Sequence, residues 1–112
     1  MTDEPGDGWN VSTQDHRGIA CVVVSDSRGR NRALIAKTGA TLLRWRAAAP
    51  TGLVDVVDGY RDVAELQAQG GMRGAILAPF SNRVAGGSYR FQDRDHDLRW
   101  MASPSSGQVL HG

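Results

Sequence analysis

An amide and a guanidinium stand side by side at Asn82-Arg83, inside the stretch GAILAPFSNRVAGG that runs from Gly74 to Gly87. Such a pair suits a polyol, because the planar arginine fork can bond two vicinal hydroxyl oxygens while an asparagine amide both donates and accepts. For an isolated pair the plainer reading comes first, in which Arg83 meets a local carboxylate and Asn82 caps a turn. Other reactive groups are sparse. His16, His96, His111 and Cys21 are the nitrogen and sulfur ligands, and none is paired at metal-site spacing. Asp93-Arg94-Asp95-His96-Asp97 looks like the start of a calcium loop. Leu98 and Pro104 stand where that loop needs Gly and Glu, so a solvated hairpin turn is the expectation. No G-x-S-x-G surrounds Ser25, Ser27, Ser81 or Ser88, and GGMRGA lacks the spacing of a dinucleotide loop. Neither a metal nor a cofactor is expected.

The elements that must position Asn82 and Arg83 read as short strands. GIACVVVSDSRGRNRALIAKTGATLLRWRA holds three β-like runs, Ile19-Val24, Ala33-Lys37 and Thr41-Arg46, separated by the turn formers SDSRGRN and TGA. Trp45 is expected to cover the edge of the core. Pro50-Thr51-Gly52 breaks the chain, and Leu53-Val57 forms another apolar run. RDVAELQAQGG is the one helical stretch, with Val63 and Leu66 at helical spacing and Gly70-Gly71 as the stop. Beyond the Asn82-Arg83 loop, SYRFQ and HDLRW alternate around Asp93-Arg94-Asp95, which signals a hairpin. Residues 1–16 are rich in Asp, Gly, Ser and Thr without apolar periodicity, and are expected to form a disordered leader ahead of one domain, 17–112. Because the chain stops directly after Val109-Leu110-His111, truncation of that domain is expected.

Composition bounds the rest. The 112 residues suit a single core, and 14 glycines without a three-residue period favour many turns between strands. A net charge of +1, with both signs mixed along the chain, offers no basic stripe for nucleic acid or an acidic membrane surface. Cys21, the single cysteine, lies in the apolar run IACVVV and reads as a buried structural thiol. The acidic start MTDEPGDGWN has no signal-peptide features and no run is long enough to span a membrane, so a cytoplasmic protein is expected.

Taken in order, LVDVVDGYRDVAEL, GAILAPFSNRVAGGSYRFQDRDHDL and VLHG resemble the N-terminal part of the aldose 1-epimerase (galactose mutarotase) family, over roughly Gly18 to Gly112. The matching steps are Thr38-Gly39-Ala40-Thr41-Leu42, Asp55-Val56-Val57-Asp58-Gly59-Tyr60, Asn82-Arg83-Val84-Ala85-Gly86, the hairpin from Tyr89 to Leu98, and Leu110-His111-Gly112. A proline ahead of the Asn-Arg pair looks like the broader mutarotase-like branch rather than the galactose-specific one. The resemblance implies an all-β fold, here an incomplete antiparallel β-sandwich of the galactose mutarotase-like supersandwich type with one short helix. It implies a hexose or hexose phosphate as partner and interconversion of α and β anomers by acid/base ring opening. Arg83, with Asn82, then contacts sugar hydroxyls, and His111 lies beside the ring oxygen as a binding and auxiliary catalytic group. In the family the principal acid is a second His and the base a late Glu. No residue of this sequence matches either; His96 and Glu65 take neither role. The competing expectation is a non-catalytic β-module that binds carbohydrate or protein.

Overall fold

A computed structural model describes residues 8–112. The chain divides into two compact units, Met1–Ile76 and Leu77–Gly112. The first holds a five-stranded antiparallel meander in which each strand pairs with its sequence neighbour: β1 Trp9–His16, β2 Ile19–Asp26, β3 Asn31–Ala36, β4 Leu42–Ala49 and β5 Gly52–Asp55. β2, β3, β4 and β5 lie where the apolar runs and turn formers put them, each within a few residues. β1 is a correction. Residues 9–16 were expected in a disordered leader, yet all eight pair with β2, from Trp9 opposite Asp26 to His16 opposite Ile19. Residues 1–7 of that expected leader lie outside the described residues. Most β1 side chains stay exposed, so the strand is held by its backbone ladder and leaves little hydrophobic pattern to read.

Strand alternation sends Ile19, Cys21 and Val23 of β2 and Leu34 and Ala36 of β3 to one face, all buried. Cys21 is fully buried, as its apolar setting implies. β4 departs from simple alternation. The β3–β4 register shifts between Leu34 and Ile35, with Leu34 opposite Arg44 and Ile35 opposite Leu42. Leu43 is the extra residue of this bulge, and the local bend turns it into the core at 4% exposure. Trp45 consequently sits away from the core, 44% exposed, beside Trp9, Val24 and Ala33, and does not cover the core edge.

The segment after β5 closes the core of this unit. Tyr60, 2% exposed, and Leu66 join the buried cluster. The Tyr60 hydroxyl donates to the Gly70 carbonyl (3.0 Å) and accepts from the Arg73 backbone N–H (3.0 Å), while the Arg73 guanidinium lies 4.6 Å over the ring. Those contacts join the segments that precede and follow α1, Val63–Ala68. The helix starts where Asp62 caps the Glu65 N–H and ends at Gln69, which takes a left-handed conformation at φ 51°. Glu65 accepts from both the Arg61 backbone and its guanidinium. The Arg61 side-chain hydrogen bonds hold its carboxyl well below the usual range, at about 2. The folded-state pKa is the depressed one, so this pair supports the fold fully above the ordinary carboxylate pKa and its support is lost as pH falls through about 2. An NMR titration of the Glu65 side chain should show its midpoint well below that of a free glutamate, and Arg61→Gln should move it back up.

The second unit, Leu77–Gly112, carries a two-stranded hairpin, β6 Ser88–Phe91 and β7 Arg94–Asp97. Its turn is Gln92-Asp93, one residue earlier than the sequence suggests, and both residues have positive φ (48° and 60°), the geometry that matches the strand twist in a two-residue hairpin loop. β7 is also shorter than HDLRW implies. Asp97 captures both the backbone N–H and the guanidinium of Arg99, and Arg99–Met101 turns into a 3-10 helix instead. His96 stacks on Tyr89, its cross-strand partner, with ring centroids 4.9 Å apart. The architecture is therefore all-β with antiparallel sheets, one short α-helix and no closed barrel among the described residues, the makeup expected of an incomplete β-sandwich.

Candidate functional site

The Asn82-Arg83 loop and the Val109-Leu110-His111 segment meet inside the second unit. Arg83 and Leu110 form an antiparallel bridge, extended by Val84 N–H donating to the Val109 carbonyl (3.1 Å) and His111 N–H donating to the Asn82 carbonyl (2.9 Å). Gly112 N–H donates to the Phe80 carbonyl at 2.9 Å and continues the ladder. Val109, 2% exposed, anchors it. The peptide bond between Ala78 and Pro79, just ahead of the loop, is cis.

Asn82 and His111, 29 residues apart in sequence, face each other across this ladder. The Asn82 backbone N–H donates to His111 Nδ1 at 2.9 Å, the reciprocal of the His111 N–H bond to the Asn82 carbonyl. An amide nitrogen can only donate here, so Nδ1 is the acceptor and the neutral ring carries its proton on Nε2. Both residues have positive φ, 65° at Asn82 and 56° at His111. Asn and His are among the few side chains that tolerate that region, which is a local reason for finding these types at these positions.

The Asn82 carboxamide oxygen accepts from the Arg83 N–H at 2.9 Å, so the asparagine caps its own turn. Arg83 behaves differently from the plain reading. Its Nε donates to Gln108 Oε1 at 2.7 Å, and no carboxylate pairs with it among the described residues. Asn82 Nδ2, Arg83 Nη1 and Nη2, and His111 Nε2 have no protein partner among the described residues, which leaves four donor atoms around one short ladder. Arg83 also borders a cleft of about 260 Å³ with Gly86, Gly87, Arg99, Gln108 and Val109. Asn82 and His111 do not line that cleft. Gln108 and Arg99 escaped the sequence reading, because an isolated Gln in SPSSGQVLHG and an Arg after a hairpin carry no motif. No group of three or more potential metal ligands occurs among the described residues.

Fold and loop together define an antiparallel β-protein that presents amide, guanidinium and imidazole donors from a buried-valine ladder. The aldose 1-epimerase family model matches residues 21–112, and the chain belongs to that family. No curated protein and no solved structure matches the chain. No helix among the described residues is long and apolar enough to cross a membrane.

Proposed function

We propose that this chain holds a hexose at Asn82, Arg83 and His111, as the sugar-positioning part of an aldose 1-epimerase. The observation that carries the reading is the ladder that brings His111 against Asn82 while leaving Arg83 Nη1 and Nη2, Asn82 Nδ2 and His111 Nε2 free to donate. Arg83 is prepared for a diol, since Gln108 fixes Nε and leaves the terminal nitrogens as a fork. His111, with Nδ1 engaged, presents an Nε2–H that can donate to the ring oxygen without transferring its proton.

Anomer exchange needs a base to take the proton of the C1 hydroxyl while an acid protonates the ring oxygen. The C1–O5 bond then breaks to give the open-chain aldehyde, and rotation about C1–C2 followed by the reverse transfers closes the other anomer. In this scheme Arg83, Asn82 and His111 orient the ring and His111 polarises O5, an auxiliary role. The proton transfers belong to an acid and a base that no residue of this sequence matches by motif. The setting is the cytoplasm, where free hexoses and hexose phosphates are handled.

The test is titration of the ¹⁵N-labelled chain with glucose and with galactose, alongside polarimetry of freshly dissolved anomers. Saturable shifts of the Asn82, Arg83 and His111 signals are expected. Silence of those signals for every hexose tried would remove the sugar reading. Polarimetry separates a binding chain from a catalytic one: rotation decaying at the buffer rate marks a sugar-binding module.

A further inference from the structure

The inner face of the first sheet is apolar at Cys21, Val23 and Leu34, but it turns cationic towards one side. Strand register places Gln14 and His16 of β1, Arg32 of β3 and Arg44 and Arg46 of β4 on this face, with Arg32 directly opposite Arg46. Like charges facing each other across a ladder are unfavourable, so the pairing carries a cost that an anion would relieve. Among the described residues one carboxylate answers these guanidiniums: Asp55 lies 3.2 Å from Arg46 Nε and 3.5 Å from Arg44 Nε. Arg32 meets no carboxylate among the described residues, and its Nη2 donates to Gln14 Oε1 at 2.8 Å.

Two hollows adjoin here. A small one of about 40 Å³ is lined by Gln14, His16, Arg32, Leu34, Arg44 and Arg46. A larger one of about 170 Å³ shares His16, Leu34 and Arg44 with it and adds Arg17 and Tyr60. Two carboxylates, Asp55 and Asp58, also line the larger hollow, and both are already engaged, Asp55 by Arg44 and Arg46, and Asp58 by Arg73. The imidazole of His16 registers the surroundings: burial first, then Arg44 and Arg17, lower its pKa, and Asp15 only partly opposes them.

We propose that this face binds the phosphoryl group of a small phosphorylated metabolite, held by Arg32 and Arg44 in the smaller hollow, with the rest of the ligand in the larger one. A phosphoryl group fits better than a carboxylate because it carries close to two negative charges and three acceptor oxygens, enough to satisfy more than one guanidinium at once. The site lies in the first unit, uses none of the residues of the proposed hexose ladder and is tested without any free sugar.

The full chain is titrated at low salt with inorganic phosphate and, separately, with glycerol 3-phosphate, following the His16 imidazole and the Arg44 backbone amide by NMR. Saturable shifts are expected for both, with an upward move of the His16 titration as the bound anion offsets Arg44 and Arg17. Tighter binding of glycerol 3-phosphate assigns the site to a phosphomonoester, and equal affinities assign it to the free anion. Arg32→Gln, at an exposed position, should weaken binding by about tenfold while leaving the circular dichroism spectrum unchanged. Arg44→Gln provides a second variant on the facing strand. The proposal is overturned if phosphate produces no saturable shift, or if both variants bind it as well as the parent chain does.

Discussion

Gly59→Ala is expected to unfold the first unit or leave it close to its stability limit. A Cβ built at Gly59 would stand 1.8 Å from the Leu43 carbonyl oxygen and 2.5 Å from its carbon. Both contacts are with backbone, which cannot rotate aside as a long side chain can. Leu43 is the buried residue of the β4 bulge and Tyr60, next in the chain, is 2% exposed, so neither segment can withdraw without opening the core. Overpacking a core typically costs about 1–3 kcal/mol even where side chains can adjust, and a clash between two backbones should exceed that. Against a typical total stability of about 5–15 kcal/mol, such a loss shows directly as a lowered urea midpoint. Gly70→Ala is the control: a Cβ there has nothing within 4 Å, and its stability should match the parent within about 0.5 kcal/mol. Equal midpoints for Gly59→Ala and Gly70→Ala would show that the two backbone segments do not approach this closely.

Arg83→Ala should weaken hexose binding sharply while leaving the ladder assembled. The Arg83 backbone, which makes the bridge to Leu110 and donates its N–H to the Asn82 carboxamide oxygen, is untouched by the substitution. What disappears is the guanidinium fork and its bond to Gln108. A hydrogen bond from a charged donor contributes about 1.5–3 kcal/mol, so losing it should weaken affinity by about tenfold to a hundredfold. Arg83→Lys should recover only part of that, since an ammonium lacks the planar fork that engages two oxygens together. Calorimetric titration with the best-binding hexose reads the affinity. The Asn82 and His111 amide signals report whether the ladder survives; unchanged affinity in Arg83→Ala would place the sugar elsewhere.

The legibility of this chain varied with how local each cause was. β2 and β3 announced themselves because their buried residues alternate within one short window, and α1 because Val63 and Leu66 fall at helical spacing and the following glycines mark its stop. β1 escaped because its stabilisation is a backbone ladder to β2, which leaves no apolar rhythm in Ser12, Thr13 and Gln14. Trp45 was misread because a bulge two residues earlier in the same strand, at Leu43, exchanged the two faces of β4. In the hairpin, the capture of Arg99 by Asp97 decided where β7 ends.

The sequence by itself determined the fold class, the single buried thiol and, through ordered motifs from Gly39 to His111, the aldose 1-epimerase membership that the family match to residues 21–112 establishes. Those properties rest on residue types and short spacings, which a linear pattern preserves. Only the tertiary structure decided that His111 Nδ1 engages the Asn82 amide, that Gln108 rather than a carboxylate fixes Arg83, and that Arg32 and Arg46 face each other across β3 and β4. Each is a contact between segments separated by many residues, set by strand register, and a register is fixed by the packing of whole elements rather than by the residues that happen to meet.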